Sequence, residues 1–223
     1  MAHNLAARIN HGVEMLRQGN VAEAFEAFRR TLVFLAAGGV GEQALGVVAP
    51  DNNNNNDPPQ EPHSRIQPVP VANLFPESND ISSIVYQSAF RVWETETDHT
   101  ILSLVLLFNT ALIYHSRTLT RENSSFVQKA LRLYQSVFDS VANTRENLRE
   151  KSLVVMASLN NASQLYMQLV NHAQAVDCFD RLRTIIELVQ QFRIVPDDFQ
   201  FFLIAVAVEN DDHDGRLFSA PTA

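Results

Sequence analysis

Seven of the nine prolines in this chain fall between Pro50 and Pro76, and four of the seven glycines fall between Gly38 and Gly46. Directly after Pro50 stands Asp51 to Asp57, a run of five asparagines flanked by aspartates. Proline donates no backbone hydrogen bond, and asparagine competes with the backbone for its bonds. Neither a helix nor a central strand is therefore expected there. The stretch 37–80 is read as a long insert, mostly disordered. Five asparagines are too few for a prion-like element, and replication slippage tolerated in a loop accounts for them better. The insert cuts the chain into a short part, 1–36, and a longer one, 81–208, followed by a frayed tail at 209–223.

On both sides of the insert the apolar residues recur at helical steps. Leu5, Ile9, Val13 and Leu16 form one stripe, and Gly19-Asn20 punctuates it. Ala24, Phe25, Phe28, Leu32 and Leu35 form the next, so 1–36 reads as a helical hairpin. After the insert, Ser83 to Trp93 alternates, with Tyr86, Phe90 and Val92 on one face. A short strand and a helical turn both fit that pattern. Asp98 can cap a helix over Ile101 to Ser116 that is apolar nearly all round, and Ser124 or Ser125 can cap another through Phe138. Thr144 is read as starting a third helix, whose charged first turns (RENLREK) are expected to be exposed. Ala175, Phe179, Leu182, Ile186 and Val189 mark a fourth. Pro196 then opens a last segment through Phe199 and Phe202, spaced as a capping helix. The fold class expected is all-α, a stack of antiparallel helical hairpins.

Composition narrows the function. A hydrophobic fraction of 46% with 19% charged residues excludes wholesale disorder. A net charge of −8 argues against a protein that coats nucleic acid, since neutralising phosphates takes surplus Lys and Arg. The single Cys178 excludes a disulfide scaffold and a four-cysteine zinc site. The opening MAHNLAARIN lacks the apolar core of a signal peptide. The apolar stretch Ile101 to Tyr114, interrupted by Asn109, falls short of the roughly 20 residues a spanning helix needs. A soluble intracellular protein of the cytoplasm is expected, with no membrane and no nucleic-acid partner.

The hairpins share a pattern. Leu159, Ala162, Ser163 and Tyr166, followed by Ala175 and Phe179, have the spacing W-x2-L-G-x2-Y…A-x3-F. Gly12, Met15, Ala24 and Phe28 stand at identical separations in the first hairpin, and Leu107, Ala111, Tyr114, Ala130 and Tyr134 follow it in the middle one. There Tyr114 and Ala130 are sixteen residues apart instead of nine, which implies a seven-residue insertion in the turn. These residues resemble the tetratricopeptide repeat (TPR) over about half of the chain. The signature Trp and Pro are missing, and no regular 34-residue period is kept, so the resemblance is to a divergent, TPR-like short solenoid. Together with the Asn-run insert it also resembles a loosely defined group of diatom proteins, mostly without assigned function.

The resemblance implies a protein-interaction adaptor or scaffold that binds a peptide or protein segment in a concave groove lined by the first helix of each hairpin. The implied groove stripe is Ile9, Val13 and Leu16, then Phe108, Leu112 and His115, then Asn160, Gln164 and Met167, each set on one helix face. None of the nine is basic, which disfavours a clamp for a terminal carboxylate. Asn10, Asn109 and Asn161 each precede Met15, Tyr114 or Tyr166 by five residues. In some family members asparagine at this site forms a ladder that holds a ligand backbone, since an amide offers both donor and acceptor. The alternative is that the three satisfy neighbouring backbone or interhelical contacts. Phe108 and Leu112 are also apolar enough to be covered by the insert itself, for example by Leu74-Phe75. A self-associating structural protein, with a homo-oligomer in place of a peptide ligand, is the competing class.

Catalysis finds no support in the residues. No metalloprotease, nucleophile-elbow, Walker or dinucleotide pattern is present, and no metal or cofactor is expected. Asn210 to Gly215 resembles a calcium loop, but Pro221 stands where its bidentate Glu should be. Cys178, among Val176 and Phe179, reads as a small buried hydrophobe. The chain is read as a non-enzyme. An enzyme without a local motif is the residual alternative.

Overall fold

Leu5, Ile9, Val13 and Leu16, the first apolar stripe of the sequence, lie on one buried face of a single helix. The structure, a computed structural model, describes residues 2–37, 65–71, 74–75, 85–96, 98–120, 124–141, 148–196 and 198–207. Six helices and two strands follow in the order α1 (Ala2–Arg17), α2 (Val21–Ala36), β1 (Ile66–Pro70), β2 (Ser88–Val92), α3 (His99–Thr120), α4 (Ser124–Val141), α5 (Leu148–Gln168) and α6 (His172–Phe192). Residues 199–207 add a short terminal helix.

The closest packing is within α1/α2, α3/α4 and α5/α6, so the described residues form an all-α fold of three antiparallel helix pairs. The helices α1, α3 and α5 form an inner row, α1 touching α3 and α3 touching α5. Small residues let the pairs close. At Gly12 an added methyl group would run into the ring of Phe28, which is fully buried on the opposite helix of its own hairpin. Asp98 starts α3 as expected of a cap, its carboxylate accepting the Thr100 N–H at 2.8 Å.

Three expectations are revised and one reading left open is settled. The seven extra residues of the middle hairpin do not lie in the turn. Each hairpin has three residues between its helices, but α3 runs six residues past Tyr114, where α1 and α5 run only two past Met15 and Tyr166. The helix α4 begins six residues before Ala130, against three before Ala24 and Ala175. The insertion is thus about one extra helical turn on each arm, which keeps the i→i+4 bonds intact where a longer loop would lose them. Second, Ser83–Trp93 resolves as strand over Ser88–Val92. Third, Ile66–Pro70, inside the stretch expected to be mostly disordered, forms β1. Fourth, Thr144 and residues 145–147 of the charged turns lie outside the described residues, but the described start of α5 is not uniformly exposed. Glu150 and Lys151 are buried while Leu148 is exposed, and Glu150 accepts the Arg65 backbone N–H beside β1.

The central helix α3 is long and apolar enough over His99–Thr118 to cross a membrane by length and composition, but 72% of that window is buried inside the protein. Its apolar surface is used by α1, α2, α4, α5 and β2. The stretch reaches spanning length because the helix extends past the apolar core of the sequence at both ends.

Candidate functional site

Both strands lie against the inner row of helices, and the three asparagines hold β2 together with Tyr86 just before it. Asn10 donates from Nδ2 to the Val92 carbonyl at 2.8 Å and accepts the Val92 N–H at 3.0 Å. Asn109 does the same for Phe90, at 2.8 and 2.9 Å. Asn161 does the same for Tyr86, at 3.0 and 2.8 Å. Each amide thus satisfies the full hydrogen-bonding capacity of one peptide residue, and it does so without reading a side chain. The ladder holds an extended segment, and the segment is the chain's own.

Pleat geometry explains the spacing of the rungs. Six residues separate Tyr86 from Val92, roughly 20 Å of extended chain. That matches two helix-to-helix steps of roughly 8–10 Å, from α1 to α3 to α5. Only alternate residues turn N–H and C=O to the same edge, so the rungs fall at steps of two and four, not three and three. The segment runs from the last hairpin to the first, opposite to the order of the helices.

The opposite edge of β2 pairs antiparallel with β1, Gln67 facing Arg91 and Val69 facing Ala89. Trp93 donates its N–H to the Arg65 carbonyl at 3.1 Å, in step with that parity. Pro68 faces Phe90 and Pro70 faces Ser88, positions where a missing N–H costs no ladder bond. This is why a proline-rich stretch can form a strand here, and why it is an edge strand. The outer edge of β1 lacks N–H donors at Pro68 and Pro70, so a further strand cannot pair with it regularly.

Aromatic side chains seal the segment. Phe90 packs on Phe108 with ring centroids 4.8 Å apart, and Tyr86 stacks on Phe202 at 5.3 Å. The Tyr86 hydroxyl donates to Asp198 at 2.8 Å. Of the residues expected to line an open groove, Phe108, Leu112, His115, Asn160 and Gln164 are buried, as are Ile9, Val13 and Leu16, and Met167 is partly exposed. Asn160 donates to the Asn161 Oδ1 at 3.3 Å. His115 lies under Phe75, ring to ring at 5.4 Å, and Leu74 and Phe75 are both buried. The groove is filled by segments of the chain on both sides of Asp80.

Burial pushes the His115 imidazole down to about 3, so it is neutral. The Tyr134 hydroxyl stands 3.4 Å from its Nδ1 and accepts from Asn161 Nδ2 at 3.2 Å, tying the middle hairpin to the last. Cys178 is buried, and burial raises its thiol to about 12, which keeps it protonated and unreactive. Among the described residues no three of His, Cys, Asp and Glu gather where a metal could be held. The acidic loop at 210–215 lies outside the described residues. Clefts open on the surface among the described residues. One of about 540 Å³ lies beside Asn10, Arg91 and Trp93, and one of about 620 Å³ lies between α1 and α2 at Arg8, His11 and Glu26.

Comparison with protein-family models, with curated proteins and with solved structures finds no match to this chain. The likeness to the tetratricopeptide repeat and to diatom proteins therefore rests on residue pattern alone. Sequence reasoning missed Asp198 and the role of β2 as occupant of the ladder. The available signal was parity: Tyr86, Phe90 and Val92 share one register, and three asparagines recur at one hairpin position.

Proposed function

We propose that the protein is a non-catalytic interaction scaffold, built of TPR-like hairpins whose inner helices grip an extended protein segment by its backbone. The observation that supports this is the bidentate bond from each of Asn10, Asn109 and Asn161 to one residue of the segment 86–92, which includes β2. Three side-chain amides at one repeat position suit any main chain of the right register, which is the chemistry of a peptide holder. In the resting chain that holder contains residues 86–92. A partner is a protein, and the excess of acidic charge disfavours nucleic acid. The test is affinity capture from native extract, with and without excess synthetic peptide of residues 85–93. A discrete partner lost to the peptide supports the reading, and an empty partner list overturns it.

One observation favours self-association as a second reading. Leu188 and Phe192, one turn apart on α6, are 45% and 61% exposed, and Ile204 is 63% exposed. A second copy could cover them. Mass measured across a dilution series, beside Phe192→Glu, decides it: a concentration-dependent dimer abolished by the substitution supports this reading, and a monomer throughout removes it.

A further inference from the structure

Resting on the scaffold reading above, we infer that residues 85–93 are a displaceable internal ligand and that the ladder's external ligand is a foreign extended segment of the same pattern. That pattern is an aromatic at the Asn161 rung, a second aromatic four residues later at the Asn109 rung, and a β-branched residue two further on at the Asn10 rung. The polarity is set as well: the ligand runs from the last hairpin to the first.

Three observations carry this. The rungs bond only the main chain of the segment, so they do not distinguish Tyr86, Phe90 and Val92 from any other residues in register. Selectivity comes from what surrounds them: Phe202, Phe108 and Asp198 around Tyr86, and Phe108 against Phe90. Next, the sheet cannot grow outward, because Pro68 and Pro70 remove donors from the outer edge of β1. An incoming strand that is to be gripped by its backbone must therefore take the place of β2 on the ladder. Finally, the two ends of the segment are held unequally. The Asn161 rung is buried and the Asn10 rung only partly so, beside the 540 Å³ cleft and Trp93, which is 54% exposed. Exchange begins at the Val92 end, where water and an incoming chain already reach the rung.

The experiment uses the full chain and a labelled peptide, VYQSAFRVW, the sequence of residues 85–93, read by fluorescence anisotropy. In the wild type the internal copy competes, so apparent affinity is reduced by the fraction of open ladder. Phe90→Ala weakens only the internal copy and is expected to raise peptide affinity by roughly tenfold or more. Adding Asn109→Ala, or reversing the peptide sequence, abolishes that gain. A folded Phe90→Ala chain that binds the peptide no better than wild type overturns the inference and makes 85–93 a fixed part of the core. Where Phe90→Ala fails to fold, peptide added in trans should restore helical circular dichroism, and failure to restore it is equally decisive against. A wild-type dimer that dissociates on dilution and is lost in Phe90→Ala makes the occupant a second copy and overturns the foreign-segment assignment. Peptide exchange without any captured foreign protein sinks the scaffold reading and leaves displaceability standing.

Discussion

The first hairpin, α1 with α2, and the last, α5 with α6, share the separations of their repeat residues and turn, yet they treat the segment they both hold in different ways. Their turns close with the same two bonds: Gly19 to Leu16 and Asn20 to Met15 in one, Val170 to Met167 and Asn171 to Tyr166 in the other. Their rungs stand at the same position. Around Asn161, however, Asn160 on the same helix and Tyr134 of the middle hairpin add buried bonds, and the buried Tyr86 is anchored through its hydroxyl to Asp198 at the protein surface. Around Asn10 the first hairpin leaves a cleft and a part-buried ion pair, Arg91 with Glu14 at 3.4 Å. Identical geometry is thus a lock at one end and a latch at the other, and solvent access makes the difference.

The largest expected effect tests that contrast. Asn161→Ala strands a buried N–H and a buried C=O of Tyr86 with no water to replace the amide. At roughly 1–3 kcal/mol for each group the cost is about 4 kcal/mol. Urea denaturation followed by circular dichroism checks it. A loss no greater than that of Asn10→Ala would end the distinction between the two rungs.

Acid should attack the locked end. His115 is held neutral by burial with its native value near 3, whereas an unfolded histidine titrates near 6.5. As pH falls the unfolded chain binds the proton first, so stability is full above about 6.5 and drains away towards the native value. From pH 7 to pH 5 the loss is roughly 2 kcal/mol for one such group. His115→Phe should flatten the urea midpoint across that window. Because Tyr134 links His115 to Asn161, backbone amide exchange at Tyr86 should rise with acid more than at Val92. Equal acceleration at both would show that the imidazole acts on the fold as a whole.

Asn10→Ala is the third comparison. Its amide is part-buried, so water can take over the Val92 groups, and the expected cost is about 1 kcal/mol. Amide exchange at Val92 should quicken while that at Tyr86 stays slow. If both quicken together, the segment opens as one unit and not from the Val92 end.

What the sequence made legible follows from the range of each interaction. The helices are local objects, and the stripes Leu5–Leu16 and Ala175–Val189 place them correctly. The rung positions are legible too, because a repeat compares the chain with itself. The occupant is not, since joining Asn161 to Tyr86 spans 75 residues and depends on strand parity relative to three helices at once. Proline near β1 is misleading for the same reason: Pro68 and Pro70 exclude a central strand but fit an edge whose bonded residues are Gln67 and Val69. The longer arms of α3 and α4 are invisible to spacing alone, because a turn insertion and two extra helical turns give the same count.

The smallest effect concerns the two turns and has the opposite sign. Gly19 adopts φ +80° and Val170 adopts φ 56°, the left-handed region in both. Glycine enters it freely, whereas a β-branched side chain there crowds its own backbone. Val170 is 74% exposed, so its side chain returns little through burial. Relieving the conformation is worth roughly 1–2 kcal/mol, and the added freedom of an unfolded glycine takes back roughly half of it. Val170→Gly should therefore stabilise the chain by about 0.5–1 kcal/mol, measured as a rise in urea midpoint at unchanged slope. Gly19→Val should cost about 1–2 kcal/mol, since nothing lies within 4 Å of a Cβ placed there and the penalty is conformational alone. A stabilisation by Val170→Gly without a matching loss in Gly19→Val would mean the two turns are not conformational equivalents. The matched pair of shifts makes the two turns conformational equivalents that share their hydrogen bonds and differ in how well the residue at the left-handed position fits it.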